Sequence, residues 1–308
     1  MKQPDIVFYM GKGGTGKSTV SALAGLAAAI KGRKTLVVSM DAAHNLSDIF
    51  ETPLGHTPKK IIPGLLAGEI DQERMIQIYL KETQRALKRN YSYLTAFNLE
   101  KHFDILKFSP GLEEHALIMA FEQVLETWNH VDLIIFDMPP TALSVKFFNL
   151  PALSHRWMSQ LQALREEINQ KKEIINRVKL AGKTYERDKI LKKINEMKAN
   201  YQLLEKRFQD QEQVSIKVVL NPNPLALSET ERIYKNLKTA GIFLSGIIWN
   251  QTGDTTAPST LPLSFKSPSH LCLPGTTQQL TGIEALKNYL KVLDTSARES
   301  LSGLKIRI

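Results

Sequence analysis

The chain is poor in the residues that staple or anchor proteins. It has one cysteine, Cys272, in 308 residues. A disulfide framework and a thiolate zinc site are both excluded within one chain, and a reducing cytosol suits that composition. No stretch approaches the roughly 18 uncharged apolar residues of a membrane span. The longest apolar candidate, around Ala22 to Ile30, is short and reads as a buried helix. Met1 to Met10 lacks the layout of a signal peptide, so a cytoplasmic protein with no integral membrane segment is expected. No internal repeat is evident. What is present is ordinary for a globular domain: 43% apolar residues and 17 glycines, enough for a packed core. The net charge of +9 permits nucleic acid, anionic membrane or acidic partners without choosing among them.

Short apolar runs alternate with helical patterns. Ile6 to Met10, Thr35 to Met40, Val131 to Phe136, Ile216 to Leu220 and Leu244 to Trp249 read as buried strands. Ser18 to Lys31, Glu69 to Arg89, Leu112 to Trp128, Glu229 to Ala240 and Ile283 to Leu293 read as helices. Thr252 to Ser269 is rich in Thr, Pro and Ser and reads as a mobile loop. Strand, helix, strand with short connections implies a parallel sheet covered on both faces. Between Pro151 and Gln213 the chain is highly charged, with two apolar stripes at steps of three and four on either side of Gly182. One stripe holds Leu161, Leu164, Ile168, Ile175 and Val178. The other holds Leu191, Ile194, Met197, Tyr201, Leu204 and Phe208. They predict an antiparallel helical hairpin, either a solvated coiled-coil-like arm or a partner- or cargo-binding surface. Gly11 to Thr19, a turn rich in glycine and lysine between the first strand and the first helix, fits the phosphate-loop pattern, so the expected class is α/β: a P-loop NTPase with a mainly parallel sheet flanked by helices, plus an inserted α-helical subdomain. It would be a single domain over residues 1–308, with helical insertions at about 69–128 and 152–213.

Three motifs carry chemistry. Gly11-Lys12-Gly13-Gly14-Thr15-Gly16-Lys17-Ser18-Thr19 fits the phosphate-loop pattern between a strand and a helix. Its glycines let backbone N–H groups face phosphate, Lys17 reaches the β and γ phosphates, and the Ser18 hydroxyl coordinates Mg²⁺. Lys12 makes this the deviant Walker A form. In that group the lysine crosses a dimer interface and neutralises charge on the transferred phosphoryl group; the alternative is an exposed lysine beside a phosphate site. Asp41-Ala42-Ala43-His44-Asn45-Leu46-Ser47-Asp48 follows the second strand. Asp41 is placed either to orient or deprotonate the attacking water or to cap a helix; His44 reads as structural or part of a switch. Asp137-Met138-Pro139-Pro140-Thr141 follows a third strand in the Walker B layout, with Asp137 expected to hold Mg²⁺ through water.

These segments together resemble the ArsA/Get3 ATPases, the arsenite-pump and tail-anchored-protein-targeting group, in a bacterial-type single-unit form. The deviant loop, the Asp41 to Asp48 switch I and the Asp137 to Thr141 switch II are joined by Pro110-Gly111-Leu112-Glu113-Glu114, by Leu227-Ser228-Glu229-Thr230-Glu231-Arg232 and by Trp249-Asn250-Gln251. The resemblance implies a Mg²⁺-dependent ATPase acting as a homodimer. Asp41 would be the catalytic base and Lys12 the intersubunit lysine. Asn250 would contact adenine, and Pro274 would close over the base. Asn223 stands where the family usually has a glutamate that contacts nucleotide. An unidentified protein partner or cargo would bind through the helical region.

The sequence also departs from the family. Ala142 and Leu143 replace a Gly-His pair after switch II, Ala42 replaces a proline in switch I, and the family's zinc- and metalloid-binding cysteines are absent. In the helical arm Met158 and Met197 are the only methionines, so its composition does not support a methionine-rich cargo groove. The alternatives to a vigorous enzyme are a slow-hydrolysing binding module switched by ATP and a partition-type ATPase. Nucleic acid is not the expected partner, because acids are mixed among the basic residues.

Overall fold

The run Ile6-Val7-Phe8-Tyr9-Met10 has no polar alternation, which suits a strand covered on both faces. In the computed structural model it forms β1 (Asp5–Met10), buried from Ile6 onward. The structure describes residues 3–90, 107–109, 111–178, 188–253 and 268–302. The phosphate loop leads from β1 into α1 (Lys17–Ile30). Then come β2 (Thr35–Ser39), α2 (Asn45–Ile49), β3 (Lys59–Ile62), β4 (Leu65–Glu69) and α3 (Gln72–Asn90). After α4 (Leu112–Thr127) come β5 (Leu133–Asp137), the long α5 (Thr141–Val178) and α6 (Lys189–Gln209). The chain continues through β6 (Val214–Leu220), α7 (Pro224–Thr239), β7 (Gly246–Thr252), β8 (Ser269–Pro274), α8 (Ile283–Val292) and α9 (Thr295–Leu301).

The eight strands form one sheet in the order β3-β4-β2-β5-β1-β6-β7-β8. Every neighbouring pair is parallel except β3 with β4. The α/β class expected from the sequence is therefore the one observed. The register sets Tyr9 opposite Asp137, Asp137 opposite Ser39, and Ser39 opposite Glu69. One row across four strands thus brings two carboxylates to the C-terminal edge of the sheet, where open α/β sheets bind ligands.

Two cores flank the sheet. On one side, α1, α8 and α9 cover Val7, Tyr9, Val37, Ile135 and Val219. On the other, Phe8, Phe121, Phe136, Phe147, Phe148 and Phe208 form one aromatic cluster. Phe8 stacks on Phe136 at 5.1 Å between ring centres and meets Phe148 edge-on at 5.0 Å, and Phe148 meets Phe208 edge-on at 5.2 Å. Such pairs add about 0.5–1.5 kcal/mol each beyond area burial. The cluster fastens β1 and β5 to α4, α5 and α6.

The helical hairpin is present and antiparallel. His155 pairs with Glu205 at 2.9 Å, Lys198 donates to Gln162 at 2.8 Å, and Arg165 donates to Asp188 at 2.7 Å. Asp188 also caps α6, accepting from the N–H groups of Ile190 and Leu191. The apolar stripe of α6 is half-buried at Leu191, Ile194, Met197 and Tyr201 and buried at Leu204 and Phe208. On α5 the stripe is less well covered: Leu164 is exposed, as are Leu153 and Trp157.

Several boundaries differ from those read in the sequence. The helix expected from Glu69 begins at Gln72, because Leu65–Glu69 pairs with β2 and is a strand. Its brevity and its Ala-Gly centre hide it from pattern reading. The short strands β3 and β8 escape for the same reason. α5 begins at Thr141, and Pro151 lies inside it although it has no N–H to donate to the preceding turn. α7 starts at Pro224 rather than Glu229, with Asn223 as its cap and proline at its first position. β7 runs to Thr252 instead of Trp249, through an irregular register around Gln251 (φ 57°). The turn read near Gly182, the residue Pro110 and most of the 252–269 loop lie outside the described residues.

Candidate active site

The turn leaving β1 has to fold tightly against β6 and β7. At Gly11 (φ 151°) a Cβ would sit 2.2 Å from the Val219 carbonyl oxygen, and at Gly16 (φ 85°) it would sit 2.3 Å from Asn250 Nδ2. No other residue type fits either position without displacing backbone or amide. At Gly13 and Gly14 a Cβ would meet no protein atom within 4 Å, which leaves the mouth of the loop open. The Thr15 hydroxyl donates to the Lys12 carbonyl at 2.8 Å and closes the turn. α1 begins at Lys17 with no side-chain cap and no acidic residue in its first turn. Its first N–H groups and the positive end of its dipole therefore suit an anion. Lys17 and Ser18 are buried, Thr19 is half-buried, and Lys12 is exposed.

Asp137 lies beneath this loop with no solvent exposure. Burial pushes its carboxyl up to about 6, opposed by a hydrogen bond from Ser18, the Lys17 charge and a hydrogen bond from Ser21, and reinforced by the Asp41 carboxylate. Ser21 donates to Oδ1 at 3.3 Å, while the buried Oδ2 has no hydrogen-bond partner among the described residues. A buried carboxylate beside a phosphate-loop serine, with one oxygen orphaned, is costly in a protein alone. It fits a divalent cation, whose charge would keep Asp137 ionised.

Switch I follows β2. The Asp41 N–H donates to the Ser39 hydroxyl at 3.2 Å, and Asp41 Oδ1 accepts from the Ala43 N–H at 3.1 Å. The cap of α2 is His44, in a left-handed conformation (φ 51°). Asp41 is therefore not the helix cap that the sequence left open. Lys12 reaches toward α7, with Nζ 4.0 Å from Glu229 Oε2. Asn250 Nδ2 donates to the Thr15 carbonyl at 2.8 Å, which sets this side chain on the phosphate loop and leaves its oxygen as an acceptor. Asn223 Oδ1 accepts from the Ala226 N–H at 2.8 Å. Pro274 ends β8 with its carbonyl accepting from the Tyr289 hydroxyl at 2.7 Å. Lys17, Ser18, Asp41 and Asp137 thus converge, Asn250 lies against the loop, and Asn223 follows β6 while Pro274 ends β8, with β7 between these two strands.

Sequence reading assigned no role to Ser21, Ser39 or Glu69, and quoted Glu229 only as part of the Leu227 to Arg232 segment. Ser39 and Glu69 each end a strand at the sheet's C-terminal edge, as Asp137 does. Recognising β4 would have flagged Glu69 by the reasoning applied to Asp41 and Asp137. Nothing local in the sequence singles out Ser21, which meets Asp137 across 116 positions. A cleft of about 1100 Å³ opens beside switch I, lined among others by His44, Asp48, Glu51, Glu69 and Arg74; none of the phosphate-loop residues line it.

The sequence pattern of the anion-transporting ATPase family matches residues 4–260. An ATPase ASNA1 homolog of Cryptosporidium parvum is 28% identical over 247 residues, covering 80% of this chain and 64% of the relative. A protein of the same description from Entamoeba histolytica is 28% identical over 251 residues, 80% of this chain and 75% of the relative. The ATPase get3 of Schizosaccharomyces pombe is 27% identical over 309 residues, 93% of this chain and 90% of the relative. The chain therefore spans a little under two thirds of the Cryptosporidium protein and nine tenths of the fission-yeast one. The match covers every segment that builds the phosphate site except Pro274 at the end of β8, and the chain belongs to the anion-transporting ATPase family and is an ATPase of that family.

Proposed function

We propose that this chain is a magnesium-dependent ATPase of the ArsA/Get3 type that works as a homodimer, closing on ATP and opening after hydrolysis. The observation that carries the reading is Asp137, a fully buried carboxylate with one oxygen unpartnered, hydrogen-bonded by Ser18 and flanked by Lys17 and Asp41. Ser18 and Asp137 would hold Mg²⁺, the latter through water, and the ion would neutralise charge on the phosphates. Lys17 binds the β and γ phosphates. Asp41 orients the attacking water and accepts its proton. Lys12 is half exposed and only loosely paired at 4.0 Å; an exposed pair of this kind contributes about 0–1 kcal/mol, so a partner's nucleotide can draw it away.

Base choice rests on Asn250. With its amide nitrogen committed to Thr15, its oxygen accepts the exocyclic amino group of adenine, where guanine presents another acceptor. Pro274 closes over the base. Asn223 offers its amide nitrogen to a ribose oxygen while its oxygen caps α7.

The output is a movement of α5 and α6, the partner- or cargo-binding region. Switch II runs into α5 without a break: the Leu143 and Ser144 N–H groups both bond the Pro140 carbonyl, and Ser144 Oγ bonds the Pro139 carbonyl at 2.6 Å. A shift at Asp137 to Thr141 therefore moves the helix that carries Phe147 and Phe148. A cytoplasmic location accompanies this reading. The second reading, a slow ATP-switched binding module, is favoured by the same observation, because a switch without glycine is stiffer.

Single-turnover hydrolysis and sedimentation with ATP test the proposal together. The expected results are ATP-dependent dimerisation, no nucleotide binding by Lys17→Ala, a trapped ATP-bound dimer for Asp41→Asn, and slowed hydrolysis with weakened closure for Lys12→Ala. Dimerisation without phosphate release from the unaltered protein supports the slow switch. Near-normal turnover of Asp41→Asn removes the base assignment.

A further inference from the structure

Switch I is gripped from one side by the junction between β4 and α3. The Ile70 N–H bonds the Ser39 carbonyl at 2.9 Å, and Gln72 Nε2 donates to the Met40 carbonyl at 2.6 Å. Glu69 takes hold of the far end. It is a carboxylate only 3% exposed on the last residue of β4. Its Oε1 accepts from the Ser47 N–H at 2.9 Å, and its Oε2 accepts from the Ser47 hydroxyl at 2.7 Å. The His44 ring nitrogen lies 3.5 Å from the same Oε2.

This geometry has a specific cause. α2 is five residues long and its cap, His44, makes no side-chain capping bond. Its first N–H groups need an acceptor from elsewhere. Glu69 supplies one from the sheet, and the Ser47 hydroxyl passes the restraint on by accepting from the Leu54 N–H at 3.0 Å. Asp41 lies between the two grips. Among the described residues its own hydrogen bonds are short-range, to Ser39, Ala43 and His44, so they fix the loop's internal shape but not its place against the phosphate loop.

We infer that Glu69 is a positioning residue for ATP hydrolysis: it anchors the start of α2 so that Asp41 is held at the attacking water. The inference rests on the reading of Asp41 as the base. Glu69 acts through the length and acceptor geometry of its side chain, because its oxygens meet an N–H, a hydroxyl and an exposed imidazole rather than a buried cation.

The test compares Glu69→Gln, which keeps the length and one acceptor oxygen, with Glu69→Asp, which keeps the charge but withdraws it by one methylene. Steady-state ATPase and nucleotide titration are measured on the full chain, alone and in the Asp41→Asn background. Losing the bond to a buried N–H corresponds to a tenfold or larger fall in rate, at about 1.4 kcal/mol per tenfold. Glu69→Asp is expected to lower kcat about tenfold or more with KM within about twofold, and Glu69→Gln to keep most of the rate, within about threefold of the unaltered protein. In the Asp41→Asn background Glu69→Asp is expected to cost less than about twofold, since there is no base left to misplace. Three results overturn the inference: Gln losing more than Asp, KM rising in step with the fall in kcat, or the full Glu69→Asp loss persisting in Asp41→Asn. Near-normal turnover of Asp41→Asn alone defeats the underlying base assignment instead and takes the inference with it. Glu69→Gln preserves shape, so the ranking can be read even where the shorter side chain folds poorly.

Discussion

Asp137→Asn should make the nucleotide-free protein more stable while destroying its activity. The carboxyl is fully buried and displaced from 3.8 to about 6. At neutral pH the folded chain holds a charge that the unfolded chain would keep in water. A displacement of this size corresponds to about 3 kcal/mol. The asparagine amide would take the place of the orphaned Oδ2 and find no acceptor, which offsets at least about 1 kcal/mol of that gain, so a net gain of up to about 2 kcal/mol is expected. The sign follows from proton linkage. Below pH 4 Asp137 is protonated in folded and unfolded chains alike and imposes no penalty. As pH rises from about 4 through about 6 the unfolded chain ionises first, and the unaltered protein loses stability relative to the variant. Above pH 6 the difference is complete.

Urea denaturation in EDTA at several pH values between 4.5 and 8 measures this directly. The variant should pull ahead as pH rises and gain a few degrees in Tm at pH 8. Adding Mg²⁺ and ATP should reverse the order, because ligand stabilises only a protein that binds it. An unaltered protein that is the more stable at pH 8 without nucleotide, or a stability difference that ignores pH, would refute the account of Asp137 as a carboxylate kept buried for a cation.

Two further outcomes follow from the same packing. Gly16→Ala places a methyl 2.3 Å from Asn250 Nδ2 at φ 85°, and left-handed backbone alone costs about 1–2 kcal/mol; equilibrium titration should show ATP affinity falling about tenfold or more, with guanine nucleotides affected less than adenine ones if Asn250 reads the base. Lys217 is a buried lysine pushed down to about 8 by burial, and it donates to the Ser300 carbonyl at 2.8 Å. Between about pH 8 and 10.5 the unfolded chain binds the extra proton, so stability should rise with pH in the unaltered protein relative to Lys217→Met; parallel urea midpoints across that range would contradict it.

The parts of the fold legible in the sequence are those where one segment suffices to declare itself. β1, β2 and β5 are short runs dominated by apolar residues, and β6 is another in spite of Ser215 and Lys217; each is a central strand buried on both faces. β3, β4 and β8 are edge or near-edge strands of four to six residues whose apolar content is diluted by Lys59, Lys60, Gly68 or His270. Their pairing depends on neighbours far away in sequence. The same division runs through the site. The phosphate loop was readable because glycine and lysine are spaced by the loop itself. Glu69 was not readable, because its partner is 22 positions away across two strands. Ser21 and Asp137 meet only once α1 is folded onto the sheet.

That division bears on how the two ends of the molecule are linked. The phosphate site holds a buried charge, an orphaned Oδ2 on Asp137 and an orphaned hydroxyl on Thr141. Each costs on the order of 1–3 kcal/mol when it lacks a partner. Such a set persists only where the surrounding frame over-determines it, and here that frame is the aromatic cluster. Phe8 is two residues before Met10 on β1, Phe136 precedes Asp137, and Phe147 and Phe148 lie two turns into α5. Four of the six rings are therefore within a few residues of the phosphate loop or switch II, and a fifth, Phe208, closes the hairpin from α6. Rings packed at 5.0–6.1 Å cannot slide gradually past one another. Truncating Phe208 to alanine should cost about 3–5 kcal/mol. Because the cluster is shared, it should also separate the nucleotide response of α5 from that of α6, a difference that hydrogen exchange on the two helices with and without ATP resolves. Equal protection changes in both helices of Phe208→Ala would mean that the hairpin's polar contacts, and not the rings, carry the coupling.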